Sequence, residues 1–144
     1  MPEQNPDFVT VTQTILKTPE NDDLGIYGNC IQAAIASALQ KPLDYVPHIG
    51  AFSAWPAAMR LWLRGEQLDY THRPGPEIPE GRGMLVGDTK RGTRHAVGFI
   101  DGQILDPHPS RAGLTKISGS YQIHDWDTDA TRNCFVCGSE TRRL

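Results

Sequence analysis

A cysteine, a histidine and an aspartate stand in this sequence where nucleophilic chemistry could be assembled. Cys30 follows the glycine-containing stretch Gly25-Ile26-Tyr27-Gly28-Asn29 and opens the segment CIQAAIASALQ. Sulfur attacks as the thiolate, and a helix N-terminus carries roughly half a positive charge, which favours that anion. The glycines ahead of it let a substrate backbone approach closely. A thiolate needs a base, and the base needs a group that fixes its tautomer. His95 in RHAVGFI and Asp106 in QILDP can be that base and that group if the fold brings them together. Taken singly, each has a plainer explanation. A free cysteine is most often a small buried apolar residue. His95 would be a half-buried strand residue, and Asp106 a strand end before Pro107.

The turn between them supplies geometry. Asp101-Gly102 is a strong two-residue hairpin signal, because glycine accepts the positive φ such a turn demands. With that turn, Val97 opposes Asp106 and His95 opposes His108. Strand alternation then puts His95, Val97, Asp106 and His108 on one face. Asp106 becomes the diagonal neighbour of His95, about 7–8 Å away between backbones and within reach of a side-chain hydrogen bond. His108 competes for that place, but it lies between Pro107 and Pro109, where ladder pairing fails.

The elements that must position these groups follow from pattern. Residues 8–16, FVTVTQTIL, are β-branched and predict a strand. In CIQAAIASALQ, Ile31, Ala34, Ile35, Ala38 and Leu39 recur at helical spacing; Asn29 is the N-cap candidate, and Lys41-Pro42 closes the helix. A second helix carries Trp55, Ala58, Met59, Trp62 and Leu63, with Ser53 as cap, Pro56 in its first turn and Gly65 as stop. Both stripes are expected to be core. Residues 72–83, rich in Pro and Gly, are expected to be irregular. Strands follow at 84–87, 94–100, 103–106 and 117–126. Helices first and an antiparallel sheet after predict an α+β domain.

Composition narrows the function classes. The chain has 144 residues, 14 Lys plus Arg against 17 Asp plus Glu, and a formal charge of −3. One domain over 1–144 is expected, with a loose tail at 1–7 and a C-terminal tail at 127–144. An acidic chain without a clustered basic surface argues against nucleic acid as partner. No apolar run reaches the roughly 20 residues of a membrane helix. MPEQNPDF shows no secretory signal, and three unevenly placed cysteines do not make a disulfide framework, so a reduced, cytoplasmic setting is expected. Cys134 and Cys137 form a lone CxxC. A structural zinc site wants four ligands; His124 offers a third and none completes the set, so no metal and no cofactor is assigned. Arg91 and Arg94 form a small basic patch beside His95. His48 and His72 fall in loops, and Trp55 and Trp62 are read as core rather than as a substrate platform.

The segments GNCIQAAIASAL, DYVP, WPAAMRLWL and RHAVGFIDGQILDPHPS together resemble the papain-like cysteine peptidase superfamily. The likeness is nearest to small phage and bacterial proteins of that fold and to the peptidase domains that trim bacteriocin leaders. It covers roughly residues 10 to 114. It implies a papain-like α+β fold in which a Cys-bearing helix packs on an antiparallel sheet carrying His95 and Asp106. It implies an amide, peptide or isopeptide hydrolase working through Cys30, His95 and Asp106 and a thioester, with a protein or peptide substrate. The superfamily also places an oxyanion-donating Gln about six residues before the Cys. Leu24 stands there, so the resemblance assigns that role to Gln13, with residues 17–29 looped out as an insertion and Asn29 as the fallback. The same triad serves deamidases and transglutaminase-type acyl transferases. A non-catalytic binding or inhibitor module on the same scaffold is the reading that the displaced Gln supports.

Overall fold

The protein is described from a computed structural model over residues 8–16 and 28–126. The expected tails at 1–7 and 127–144, most of the 17–29 insertion and the Cys134/Cys137 pair lie outside the described residues. The architecture is α+β. Helices α1 (Cys30–Leu39) and α2 (Trp55–Gly65) precede strands β1 (Leu68–Pro74), β2 (Arg82–Asp88), β3 (Arg94–Ile100), β4 (Gln103–Leu105) and β5 (Lys116–Asp125). The strands form one antiparallel sheet in the order β1-β5-β2-β3-β4, so the last strand inserts between the first two. Two short 3₁₀ turns, Leu43–Tyr45 and Ile49–Ala51, link the helices.

The β3–β4 hairpin forms in the expected register, with Ile100 opposite Gln103 and Gly98 opposite Leu105. Asp101 and Gly102 both take positive φ, 49° and 84°, as a type I′ turn requires. Residues 68–74 depart from the reading of 72–83 as irregular, because His72, Arg73 and Pro74 belong to β1. That strand lies at the sheet edge and pairs only with β5, so Pro74 is tolerated there.

Helix α1 is buried on nearly every side: Ala33 through Leu39 are all buried. The predicted stripe understates this, because Ala33, Ala36 and Ser37 are small enough to admit neighbours behind it. One of those neighbours is the segment 8–16. It is extended but joins no sheet ladder, contrary to the strand expected there. Its partners are side chains of α1 instead. The Gln40 amide accepts from Val9 N–H and donates to Val9 C=O, and Ser37 Oγ accepts from Val11 N–H. The segment thus runs antiparallel to the helix, from its C-terminal end toward Cys30.

α1 and α2 cover one sheet face around Ile35, Met59, Leu63, Met84 and Tyr121, with the stripe residues Trp55, Ala58 and Trp62 packed against them. A smaller cluster of Leu85, Val97 and Phe99 holds a second. The expected caps of α2 are replaced: Ala54, not Ser53, precedes the helix, and positive φ falls on Gln67 rather than Gly65. Between helix and sheet, Asp69 accepts bonds from Arg60 and Arg64. No helix among the described residues is long and apolar enough to cross a membrane.

Helix α1 approaches the sheet closely at Gly98, where a Cβ would stand 2.7 Å from Ala34 C=O. That neighbour is backbone and cannot swing aside. Gly98→Ala should therefore destabilise by about 1–3 kcal/mol in urea unfolding. Gly65→Ala is the control, since its Cβ meets nothing within 4 Å. Equal stability of the two variants would sink the close-approach argument.

Candidate active site

The N-terminus of α1 and the first residues of β3 meet at one cleft of about 400 Å³, and Cys30, His95, Gln13 and His108 all line it. Cys30 is free and half-buried at the first helical position. His95 and Asp106 are 6% and 5% exposed, so each depends on the other for its hydrogen bonds. His95 Nε2–H donates to Asp106 Oδ1 at 2.7 Å, the contact expected from the hairpin register. With Nε2 taken, Nδ1 is the nitrogen left for the thiol.

Asp106 is held from several sides. His108 N–H donates to its Oδ1 at 3.0 Å, and Gly113 N–H donates to its Oδ2 at 2.6 Å. Arg111 then spans the loop: its guanidinium donates to the carbonyls of Asp106 and His108 and to Thr12 Oγ1. Burial would raise the Asp106 pKa, but the bonds from His95, His108 and Gly113 outweigh it and hold the carboxyl at about 2. Burial would likewise lower the His95 pKa. The hydrogen bond to Asp106 and the interaction with Cys30 outweigh it and raise the ring to about 9. A protonated imidazole between a sulfur and a carboxylate is the resulting electrostatic state.

Gln13 reaches this cleft despite its distance in sequence, because the segment 8–16 runs back along α1. Its backbone N–H donates to Pro107 C=O at 3.0 Å, which pins it beside the Asp106 loop. Nε2 donates to Ile15 C=O at 2.9 Å, leaving one amide hydrogen. Oε1 is buried without a partner among the described residues. Asn29 holds the expected N-cap position, but its side chain is engaged elsewhere. It makes no side-chain cap on α1. Its Oδ1 accepts from Thr14 N–H and Ile15 N–H, and its Nδ2 donates to Thr14 Oγ1 and Gln32 Oε1. The amide that could have capped the helix or served as the fallback oxyanion donor is spent clamping the segment that carries Gln13.

Other expectations resolve similarly. His108 forms no ladder pair but sits edge-to-face with His95, ring centroids 6.0 Å apart. His72 stacks on Tyr121, and His48 Nε2 lies 3.1 Å from Gly28 C=O. Trp62 packs on Tyr45, whereas Trp55 is both core and cleft wall, in contact with Tyr121. Tyr121 and Thr93 were not singled out as cleft residues. Tyr121 lies in the strand expected at 117–126, but only the β1-β5-β2 order brings it to Trp55, and no local pattern encodes that order. Comparison with known protein families, curated proteins and solved structures finds no match to this chain.

The shifts set a pH response. Asp106 is depressed below its ordinary 3.8, so its contribution to stability is present above that value and is lost as pH falls toward about 2. His95 is raised from 6.5, so its contribution is full below that value and is lost as pH rises through about 9. Asp106→Asn should move the His95 titration, followed by ring-proton NMR, well below 9. It should also flatten the loss of stability between pH 4 and 2. An unchanged His95 titration would show that the carboxylate is not what holds the proton.

Proposed function

We propose that the chain is a cysteine-dependent hydrolase of papain-like fold, cleaving an amide, peptide or isopeptide bond of a protein or peptide. The observation that carries this is the buried His95–Asp106 hydrogen bond at the wall of the cleft that Cys30 opens into. A buried imidazole oriented by a carboxylate, beside a thiol at a helix start, is the arrangement nucleophilic acyl transfer needs. The resemblance of the sequence to papain-like peptidases points the same way.

In this reading the Cys30 proton already resides on His95 Nδ1, and the pair reacts as thiolate and imidazolium. The sulfur attacks the carbonyl carbon, and the C=O electron pair moves onto oxygen. Cys30 N–H, a first-turn donor without a helical acceptor, and the remaining Gln13 Nε2 hydrogen stabilise that oxyanion. The intermediate collapses, the C–N bond breaks, and His95 protonates the departing amine. Water then attacks the thioester, His95 takes its proton, and the thiolate leaves. Asp106 stays ionised throughout and keeps Nε2 protonated.

Gln13 at the cleft wall supports the catalytic reading over the non-catalytic scaffold that a Gln missing from its usual place would favour. Deamidation and acyl transfer would use the same steps with a different amine or acceptor. A free nucleophilic thiol fits a reducing, cytoplasmic setting.

The test is the pH dependence of iodoacetamide labelling at Cys30, read by peptide mass mapping. Wild type should label fast at mildly acidic pH, and His95→Ala should slow it by about tenfold or more, as loss of an ion-pair partner requires. On a substrate found by this route, Cys30→Ala should abolish turnover while leaving the fold intact. Labelling indifferent to His95→Ala would remove the Cys–His pair and the hydrolase reading with it.

A further inference from the structure

The cleft is lined by residues of two chemical kinds. Ile31, Trp55, Val86, Ala96 and Tyr121 give it apolar and aromatic surface. Arg91, Thr93, Arg94 and His108 give it cationic and hydrogen-bonding surface. In a chain of net charge −3, that concentration needs a reason.

The cations of this region are not equivalent. Arg94 is committed: its Nη1 donates to Asp88 Oδ1 at 3.0 Å and to Ser118 Oγ at 2.9 Å. Arg111 is committed to the Asp106 and His108 carbonyls and to Thr12. Asp106 belongs to His95. Arg91 has only a long contact, 3.5 Å, from Nη1 to Ser110 Oγ, and no carboxylate partner among the described residues.

His108 beside it is set as a donor. Ser110 N–H donates to His108 Nδ1 at 3.1 Å, so Nδ1 is the acceptor nitrogen and the proton of the neutral ring sits on Nε2. Burial and then the positive charges of Arg91 and His95 lower the pKa of the ring, against the opposing pull of Asp106. Its backbone N–H is tied to Asp106, so the ring is positioned by the same loop that orients the base. A guanidinium without a carboxylate partner among the described residues and an N–H donor lining the same cleft are the complement of a carboxylate.

We propose that the cleft selects acyl substrates bearing a carboxylate close to the scissile bond, held by the Arg91 guanidinium and His108 Nε2–H. This deepens the hydrolase reading and rests on Cys30 being its nucleophile. An acidic side chain or a chain-terminal carboxylate supplies the same group.

Two matched alkylating reagents, the α-amides of N-bromoacetyl-aspartate and N-bromoacetyl-asparagine, so that only the first carries a carboxylate, test it on the full chain. In each, the Cys30 sulfur displaces bromide and forms a thioether, so the reagents differ only in the carboxylate. Their rate ratio at Cys30, read by peptide mass mapping, cancels the thiolate fraction and reports the anion preference alone. The aspartate reagent should be favoured by about three- to fivefold at low salt, the size of an exposed ion pair. Arg91→Gln should bring the ratio close to unity, and His108→Phe should reduce it. Lys90→Gln, which removes a charge from the same loop outside the cleft wall, should leave it unchanged.

Fast labelling by both reagents, with a ratio that Arg91→Gln does not alter, would overturn the carboxylate site and leave the hydrolase reading standing. A ratio lowered as much by Lys90→Gln as by Arg91→Gln would reduce the effect to general surface charge and also overturn it. Slow labelling by both reagents at mildly acidic pH, insensitive to His95→Ala, would remove the nucleophile and both proposals together.

Discussion

The contact on which this structure depends is the approach of α1 to β3 at Ala34 and Gly98. Backbone meets backbone there because neither residue interposes a large side chain. Four residues back along the helix is about 6 Å, and three back along the strand is about 10 Å. Those steps lead to Cys30 and His95, so one close contact sets the spacing of thiol and base. It also explains the composition of the helix. A run of Ala and Ser is a weak hydrophobic element, yet each of these residues is buried, and their small size is what allows sheet, 3₁₀ turns and the 8–16 segment to close around one rod. A bulkier helix would bury more apolar surface per residue and hold its first turn further from β3.

The second constraint is polar. The segment 8–16 brings an amide to the cleft without belonging to the sheet. Its backbone groups need partners, because an unmet buried N–H or C=O costs about as much as a lost hydrogen bond. Side chains of Asn29, Ser37 and Gln40 meet that need, spaced along α1 so that Val9, Val11 and Thr14–Ile15 each find one. The helix acts as the neighbouring strand that is absent. The helix start gives up its own side-chain cap in return, since the Asn29 amide cannot serve both ends.

This exchange explains what could be read from the sequence and what could not. The hairpin was legible because Asp101-Gly102 determines its turn locally, and the turn determines the register that places Asp106 next to His95. The helices were legible from periodicity. The role of 8–16 was not: β-branched residues favour extended backbone, and nothing local says whether its partner is a strand or a row of amides. Asn29 looked like a cap for the same reason, because the competing donors, the N–H groups of Thr14 and Ile15, arrive from a distant segment. The β1 strand was hidden by Pro74, which only an edge position excuses, and Tyr121 by a strand order that places β5 between β1 and β2. The basic patch was visible as Arg91 and Arg94, but only the structure separates them, since Asp88 and Ser118 claim one and leave the other.

The two histidines show how much of the site is environment rather than residue type. Their rings lie 6.0 Å apart on one cleft wall, yet one is raised to about 9 and the other lowered. Burial acts downward on both. His95 overcomes it because a carboxylate accepts from its Nε2 and Cys30 adds to the effect. His108 does not, because its Nδ1 receives an N–H, and burial with the positive charges of Arg91, His95 and Arg111 outweighs the opposing pull of Asp106. The charge of His95 adds to the burial and the Arg91 charge that lower the pKa of its neighbour. In the proposed reaction the pair divides the work: one ring exchanges protons with the thiol, and the other donates a hydrogen bond. Exchanging their roles would require moving Asp106, which His108 N–H, Gly113 N–H and Arg111 together hold in place.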